Sequence, residues 1–305
     1  MVTILALAAA VLYGTADFLG GVASRRASVF AVLATTVPAG AAVVIVVALL
    51  GEAPGLGSLL GHGLGSPTSV GGWAAVGWAA VSGICGAAGL IAFYAGFAAA
   101  PISVVAPVAA LMSTVLPVGI AIAGGERLTS QMVAGGLICL VAIVLVSMPA
   151  TRRTRQGHQD GPDTTAASRL RGLAYGAVAG AGFGLFFLCL KNAGQSGVLW
   201  PVAISRTAGT LVAVGIAVAT KTRPWRRDGG GTGMIALVSG AVDAAANVCY
   251  VLATRVGLFG LAVVITSLYP GMTVLLARWV LGERMRWLQR AGLLLAAAGV
   301  VLLTT

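Results

Sequence analysis

The chain contains two stretches that begin alike: GERLTSQMVAGGLICLVAIVLVS at residues 125–147 and GERMRWLQRAGLLLAAAGVVLLT at residues 282–304. Each opens on Gly-Glu-Arg and continues into an apolar run, and in both stretches a Gly follows the Glu nine positions later. An α-helix that crosses a bilayer needs about 20 predominantly apolar residues. Each stretch therefore predicts a membrane-spanning helix after a charged loop, and their likeness predicts an internal repeat.

Further apolar runs of similar length lie along the rest of the sequence. They are too long, and alternate too little, to be membrane β-strands. The runs fall at about 3–23, 29–50, 71–97, 103–123, 131–149, 170–191, 199–219, 233–254, 260–281 and 286–304. The sequence thus predicts an all-α integral membrane protein with ten transmembrane helices.

The composition of the 305-residue chain agrees with this prediction, since 58% of its residues are hydrophobic and 9% are charged. Soluble domains carry about 25% charged residues, so a cytosolic enzyme or a disordered chain is excluded. The net charge of +11 does not indicate a nucleic-acid partner, because Arg and Lys gather in the cytoplasmic loops of membrane proteins. The four Cys lie in apolar runs and the two His in polar loops, which predicts no metal site and no cofactor.

A polar segment divides the sequence at its midpoint. Residues 150–169 are basic and contain a proline, as a solvated linker would. Five apolar runs precede this linker and five follow it, so the second half must insert upside down. We therefore predict two inverted five-helix repeats, over 1–149 and 170–305. Inverted repeats are typical of transporters, whose substrates bind at the repeat interface near the midplane.

These features resemble those of the EamA-type transporters of the drug/metabolite transporter superfamily, over nearly the full length. Glu283, Gln289 and Gly292 fit the family's usual spacing, while Gln131 of the first half comes one residue early. Arg206 in the seventh run is a further match. The resemblance implies ten helices in two inverted repeats around a central cavity. It also implies the movement of small metabolites, often outward, and it names no substrate.

Two acidic residues, Asp17 and Asp243, lie deep within apolar runs, where a charge costs about 2.5–3.5 kcal/mol on insertion scales. Charged residues at such depth are candidates for function. Asp243 belongs to a polar stripe at helical spacing, which consists of Ser239, Asp243, Asn247, Tyr250 and Thr254. The stripe predicts a helix face that borders a substrate cavity. An interhelical hydrogen-bond seam is the alternative.

Asp17 shares a predicted helix face with Tyr13, four residues earlier. Alternatively, Asp17 lies near the membrane surface and pairs with Arg25 or Arg26. Arg206 has three candidate roles. It could be a counter-charge for either Asp or bind an anionic substrate group, or its side chain could extend so that the guanidinium group reaches the membrane surface. The predicted substrate site consists of Tyr13, Asp17, Arg206, Asp243, Asn247 and Tyr250. Since burial disfavours a charged carboxylate, Asp17 or Asp243 is also a candidate carrier of a coupling proton.

Prolines and glycines predict where spans bend or end. Pro107 and Pro117 in the fourth span and Pro270 in the ninth should kink or interrupt their helices, and they are candidates for gating. Nearby hydroxyl groups should satisfy the carbonyls that the prolines free. A structural role is predicted for the pairs Gly125-Glu126 and Gly282-Glu283, in which Gly ends a helix and Glu meets a neighbouring Arg or the next helix's N-terminus.

The basic residues also predict an orientation. The odd-numbered loops hold 14 Arg and Lys and the even-numbered loops hold 3. The positive-inside rule then puts both termini outside the cytoplasm, whereas the resemblance implies cytoplasmic termini. Seventeen Arg against two Lys suggest a GC-rich bacterial genome, and hence the bacterial inner membrane.

The functional prediction is a transporter, and not an enzyme, that moves a small metabolite such as an amino acid by alternating access. A passive channel or a membrane-embedded sensor is the first alternative. An intramembrane lipid-modifying enzyme is less favoured, because the sequence contains no DDxxD cluster, no GxSxG and no His within a span. The expected partners are a small-molecule substrate and the lipid bilayer, and a homodimer is left open.

Overall fold

The computed structural model describes eight segments of the chain: residues 1–24, 26–51, 72–100, 102–147, 166–195, 197–221, 231–282 and 285–304. Helices make up nearly all of these segments, and no strand occurs within them. For this part of the chain the all-helical prediction is confirmed.

Eleven helices occur in the described segments. In chain order they are α1 (Val2–Ser24), α2 (Val29–Gly51), α3 (Gly72–Ala99), α4 (Ile102–Ala123), α5 (Ser130–Ser147), α6 (Ala166–Ala193), α7 (Leu199–Ala219), α8 (Gly231–Val256), α9 (Phe259–Thr266), α10 (Tyr269–Leu281) and α11 (Trp287–Thr304).

The helices coincide with the predicted apolar runs. Among the described residues nine spans are long and apolar enough to cross a membrane, with α9 and α10 counted as one span, and the shorter apolar helix Trp287–Leu303 is a tenth. The largest differences are at α6, which begins at Ala166 inside the predicted linker, and at the ninth span, which is divided at Ser267–Leu268. The linker residues 150–165 lie outside the described segments.

The most extensive helix contacts join the two halves of the chain. Helix α1 packs along α8, α3 along α6, α2 along α7, and α5 along α11. Helix α2 also contacts α8, α3 contacts α7, α4 packs against α6, and α1 contacts both α9 and α10. The interior is therefore formed where helices of the first half meet helices of the second.

Small residues permit these close contacts. A Cβ atom added at Gly83 in α3 would overlap the backbone carbonyl of Ser205 in α7. A Cβ atom added at Gly240 in α8 would overlap the backbone carbonyl of Thr36 in α2 in the same way. Membrane helices lack a hydrophobic driving force for association, so close backbone contact of this kind contributes much of their attraction.

The outer surface of the bundle is apolar. Leu211, Val218, Trp279 and Leu294 each expose 70–74% of their surface. A soluble monomer rarely exposes so many large apolar side chains, whereas in a bilayer they contact lipid acyl chains. This surface supports the prediction of a multi-pass membrane protein.

The largest buried cluster lies where α1, α6, α8 and α9 meet. Its aromatic members are Tyr13, Phe187, Tyr250 and Phe259, all less than 10% exposed. The ring centroids of Phe187 and Tyr250 are 4.8 Å apart. The polar groups of the candidate site are held against this packed cluster.

Candidate functional site

An ion pair joins α7 and α8 inside the bundle. Nη2 of Arg206 contacts Oδ2 of Asp243, and it also lies 3.4 Å from the Asp243 backbone carbonyl oxygen. The side chains are 13% and 26% exposed, respectively. Of the roles predicted for Arg206, the structure selects the counter-charge to Asp243.

The Asp243 carbonyl accepts a second hydrogen bond, from Nδ2 of Asn247 at 2.7 Å. The other amide atom, Oδ1 of Asn247, is buried and has no hydrogen-bond partner. Since Nδ2 is fixed by this contact, Oδ1 must point away from it as an acceptor. The pair and the amide thus form a connected group on α7 and α8.

The remaining members of the predicted stripe form contacts within the protein. Ser239 donates to the Ala16 carbonyl of α1 at 2.8 Å, and Tyr250 donates to the Phe187 carbonyl of α6 at 2.9 Å. Thr254 donates to the Val251 carbonyl of its own helix at 2.8 Å. The contacts of Ser239 and Tyr250 match the interhelical seam that was the alternative interpretation, whereas that of Thr254 stays within α8. Asp243 is the stripe member with substantial exposed surface.

Asp17 on α1 differs from Asp243 in having no ion-pair partner among the residues that the structure describes. Its side chain is exposed, although it lies close enough to Asp243, Tyr94 and Tyr269 to interact with them electrostatically. These neighbours belong to α8, α3 and α10, so helices of both halves of the chain lie around Asp17. We call the space bordered by Asp17, Tyr94, Asp243 and Tyr269 the central cavity.

No basic residue of the described segments lies within ion-pair distance of Asp17. Arg25, one of the two surface partners considered for Asp17, lies outside the described residues. The alternative in which Asp17 pairs with Arg26 at the membrane surface therefore does not hold. Instead Asp17 faces the interior.

Tyr13 occupies the turn of α1 before Asp17. Its ring packs edge-to-face on Phe187, with centroids 6.0 Å apart, and lies 6.2 Å from the ring of Tyr269. Its hydroxyl is buried, has no hydrogen-bond partner among the described residues, and interacts electrostatically with Asp243 and Arg206. A buried hydroxyl without a partner is costly, which makes it a candidate ligand contact.

The predicted ninth span is broken next to this aromatic group. Pro270 lies in the first turn of α10, and its missing N–H leaves the Thr266 carbonyl without a helical donor. The hydroxyls of Thr266 and Ser267 are buried and have no hydrogen-bond partner. Beyond the break, Thr273 donates to the Gly14 carbonyl at 3.1 Å and thereby ties α10 to α1.

The predicted interruption of the fourth span does not occur. Helix α4 runs without a break through Pro107 and Pro117. Ser113 and Thr114 donate to the Ala110 carbonyl at 2.9 and 3.1 Å. The carbonyl that Pro117 frees is that of Ser113, so the prediction that these hydroxyls satisfy a freed carbonyl is wrong. They bond within the preceding turn of their own helix.

Both Gly-Glu loops begin with a left-handed glycine, with φ +92° at Gly125 and +67° at Gly282. Only Gly adopts this conformation without strain. Oε1 of Glu126 accepts a hydrogen bond from the Gly260 N–H at 2.8 Å, at the N-terminus of α9. The sequence suggested the next helix, α5, but the helix that Glu126 meets belongs to the other half. Glu283 lies outside the described residues.

Three aromatic residues near Asp17 and Tyr13 were not predicted as site residues: Tyr94, Phe187 and Tyr269. Tyr269 directly precedes Pro270, so the helix break predicted at Pro270 could have indicated Tyr269 as a site residue. Neither Tyr94 nor Phe187 stands near an acidic residue or a helix break in the sequence, and only helix packing brings them to the site. In the described segments, no three His, Cys, Asp or Glu side chains come together to hold a metal ion.

The fold and the site define a polytopic helical membrane protein with an ion pair and an uncompensated carboxylate in its interior. The model of the EamA-like transporter family matches residues 170–305. The match covers slightly less than half of the 305 residues, and it makes the second half of the chain similar to that family, which is part of the drug/metabolite transporter superfamily.

One solved structure, described as "Crystal structure of protein", matches with a TM-score of 0.71 at 19% sequence identity. The match covers 99% of this chain and 96% of the other, so the shared fold extends over both halves. A sequence search of curated proteins found no significant match.

Proposed function

We propose that the protein moves a small metabolite across the membrane by alternating access, and that the substrate binds in the central cavity. The observation that supports this proposal most is Asp17, an exposed carboxylate on α1 that interacts electrostatically with Asp243 in the other half of the chain. Intramembrane charges are costly and mark substrate or ion pathways. The family match over residues 170–305 supports a transporter and not an enzyme.

We also propose that residues 1–149 and 170–305 are inverted repeats, separated by the linker 150–169. Equivalent hydrogen bonds support this arrangement. Ser82 of α3 donates to the Phe186 carbonyl of α6 at 3.0 Å, and Ser239 of α8 donates to the Ala16 carbonyl of α1 at 2.8 Å. Exchanging the two halves converts one contact into the other.

The contact between α5 and α11 supports the same symmetry. A Cβ added at Gly135 would lie 3.0 Å from the Gly299 carbonyl, and one added at Gly292 would lie 3.1 Å from the Ala142 carbonyl. An offset of 157 positions relates Gly135 to Gly292 and Ala142 to Gly299. The same offset relates Ser82 to Ser239, whereas their acceptors Ala16 and Phe186 are 170 positions apart.

The symmetric contacts also indicate which residue of the first half corresponds to Arg206. Thr36 and Ser205 occupy equivalent places against Gly240 and Gly83. The counterpart of Arg206 is then Val37. The interior charges therefore belong to single positions that the repeat does not duplicate, as expected if substrate contacts diverged on a repeated scaffold.

Among the predicted site residues we assign two kinds of role. Asp17, Asp243, Arg206 and Tyr13 border the cavity or lie against it and contact the substrate. Tyr250, which is fully buried and bonded to α6, holds α8 in position. Asp17 is the better candidate for a coupling proton, because Arg206 already compensates Asp243.

The proposed location is the cytoplasmic membrane of a bacterium, and the proposed substrates include amino acids and related compounds. A metabolite export screen that compares deletion and overexpression strains identifies the substrate. Saturable counterflow in proteoliposomes then distinguishes a transporter from a passive channel.

Proton coupling is tested in the same proteoliposomes with Asp17→Asn and Asp243→Asn under an imposed pH gradient. Asp228→Asn, between α7 and α8 in the sequence, is the matched acid-to-amide control. We expect Asp17→Asn to abolish the gradient dependence and Asp228→Asn to preserve it. Unchanged uptake and unchanged gradient dependence in both site variants would refute the assignment.

A further inference from the structure

A groove on the outer surface of the bundle is separate from the central cavity. Its walls are α4, α5 and α9, Leu303 of α11 completes the lining, and the groove encloses about 220 Å³. The lining is apolar except for Thr114, whose hydroxyl is buried and donates to the Ala110 carbonyl of its own helix. Apolar spaces of this size stay dry and bind apolar molecules.

The groove opens towards the lipid and follows the helices through the membrane. Its lining includes Ile122 of α4 and Leu137 of α5, which are 51% and 58% exposed. From Thr114 to Ile122, both in the lining, α4 rises by about 12 Å. One leaflet of the hydrocarbon core is about 15 Å deep. The groove therefore extends through most of one leaflet, in the direction in which lipid acyl chains lie.

Basic residues gather at the end of the groove that the loop between α4 and α5 forms. Leu128 of this loop lines the groove, and the preceding Arg127 is exposed and forms no ion pair with any residue that the structure describes. Nζ of Lys191 lies 5.0 Å from the ring centre of Phe259, the first residue of α9. Arg255 is exposed in the last turn of α8, just before α9 begins.

The charge at this end of the groove favours an anionic occupant. Glu126 is the acidic residue described there, and its Oε1 already accepts the hydrogen bond from the Gly260 N–H. Three basic residues and one acidic residue leave a net charge of +2. Basic pockets between membrane helices bind anionic lipid headgroups. A second copy of the chain is a poorer occupant, because a two-fold interface would bring the two basic ends together.

From the apolar lining, the depth and the charge, we infer that the groove binds one anionic phospholipid of the bilayer. One acyl chain lies between α4 and α5 against α9, and the phosphate group pairs with Arg127. Lys191 and Arg255 add attraction at longer range. Because the groove is separate from the central cavity, this lipid site does not depend on the proposed transport function.

Two glycines allow the groove to be filled without a clash. A Cβ atom added at Gly119 of α4 or at Gly136 of α5, both in the lining, meets nothing within 4 Å. Gly119→Leu and Gly136→Leu, called the groove variants, therefore place a side chain where the acyl chain would lie. Gly215→Leu is the matched control, because Gly215 is exposed on α7 and a Cβ atom there also meets nothing within 4 Å.

The headgroup contact is tested with Arg127→Gln. Its control is Arg290→Gln, since Arg290 is exposed in the first turn of α11, at the other end of that helix from Leu303. The purified full-length protein in detergent is titrated with palmitoyl-oleoyl-phosphatidylglycerol or with the matching phosphatidylcholine, which has the same acyl chains and no net charge. Native mass spectrometry measures the number of bound lipids and the oligomeric state.

We expect one phosphatidylglycerol to bind about fivefold or more tightly than phosphatidylcholine, a preference that Arg127→Gln loses and Arg290→Gln keeps. Each groove variant should weaken phosphatidylglycerol binding about tenfold or more, because the acyl chain loses its buried contacts, and Gly215→Leu should not. Equal binding of the two lipids by the parent protein overturns the inference, and so does an unchanged preference in Arg127→Gln. Parent-like phosphatidylglycerol binding by either folded groove variant, or an equal loss in Gly215→Leu, also overturns it. A dimer that Gly119→Leu converts to a monomer does the same, since a second copy would then occupy the groove.

Discussion

The Arg206–Asp243 ion pair should be unequally sensitive to the loss of its two partners. Asp243→Asn leaves Arg206 without a counter-charge in a side chain that is 13% exposed, and a guanidinium group stays protonated at any pH a protein tolerates. Arg206→Gln leaves Asp243, which is 26% exposed and which avoids the penalty by binding a proton. The first variant should therefore be the less stable.

The expected magnitudes follow from burial. Breaking a buried ion pair by removing one partner costs about 3–5 kcal/mol. Partial exposure lowers this, so we expect about 3 kcal/mol for Asp243→Asn and about 2 kcal/mol for Arg206→Gln at pH 8. Lowering the pH to 5 should reduce the second cost, because a carboxylate can escape the penalty by binding a proton, and should leave the first unchanged. At about 2 °C per kcal/mol, the Tm should fall by about 6 °C and 4 °C, respectively, at pH 8.

Thermal unfolding of the purified protein in detergent, followed by fluorescence of its six Trp residues, measures these shifts at both pH values. The double variant Arg206→Gln with Asp243→Asn separates the pair from its surroundings. It should cost less than the two single variants together by about 2 kcal/mol. Additive losses, or equal losses in the single variants with no change between pH 8 and pH 5, would refute the compensation of Asp243 by Arg206.

Three further predictions concern the scaffold. Gly240→Ala should destabilise the protein by about 1–3 kcal/mol, because its methyl group overlaps a carbonyl of α2. The control Gly215→Ala, whose methyl group meets nothing within 4 Å, should be neutral or stabilising. Equal Tm values for the two variants would contradict the close approach of α2 and α8. Glu126→Gln should cost about 0.5–1 kcal/mol by weakening the interaction with the N-terminus of α9, and hydrogen exchange should accelerate in α9 but not in α7. Tyr250→Phe should cost about 1 kcal/mol, since the α6 carbonyl that it bonds becomes unsatisfied, and a Tm above that of the parent would speak against this hydrogen bond.

The helices could be predicted closely from the sequence because a bilayer demands long apolar segments. The seventh run, 199–219, coincides with α7 at both ends, and the second run differs from α2 by one residue. A helix that must satisfy all its backbone groups internally has little freedom in where it ends. The start of α6 was missed because Ala166 belongs to a polar segment whose composition resembles that of a linker.

The site could be predicted as a set of residues but not as a set of contacts. The depth of Asp17 and Asp243 within their apolar runs identified them as candidate functional residues, since the cost of a charge depends on its position along a span. Which Asp would pair with Arg206 depends on whether α7 lies beside α1 or α8, and no property of a single helix determines that. The stripe on α8 was predicted to border a substrate cavity. Ser239 and Tyr250 instead bond to α1 and α6, and these partners could not be predicted from the sequence of α8 alone.

The prolines show a further reason for failure. Pro117 lies within a continuous helix, whereas Pro270 stands in the first turn after a break. The same residue type is accommodated in one place and ends a helix in the other. Thr273, which ties α10 to the Gly14 carbonyl of α1, is a tertiary contact that favours the broken geometry and that the local sequence does not reveal.

The break at Ser267–Leu268 makes the two halves mechanically unlike. A continuous helix such as α4 transmits a displacement of one end to the other. The ninth span is divided into two helices and does not, so α10 can tilt with α1 while α9 stays fixed on Glu126 and α5. The continuous helix α4 and the divided span formed by α9 and α10 then have different bending energies. Openings toward the two sides of the membrane would therefore differ in energy and in speed, even if the repeats were otherwise identical.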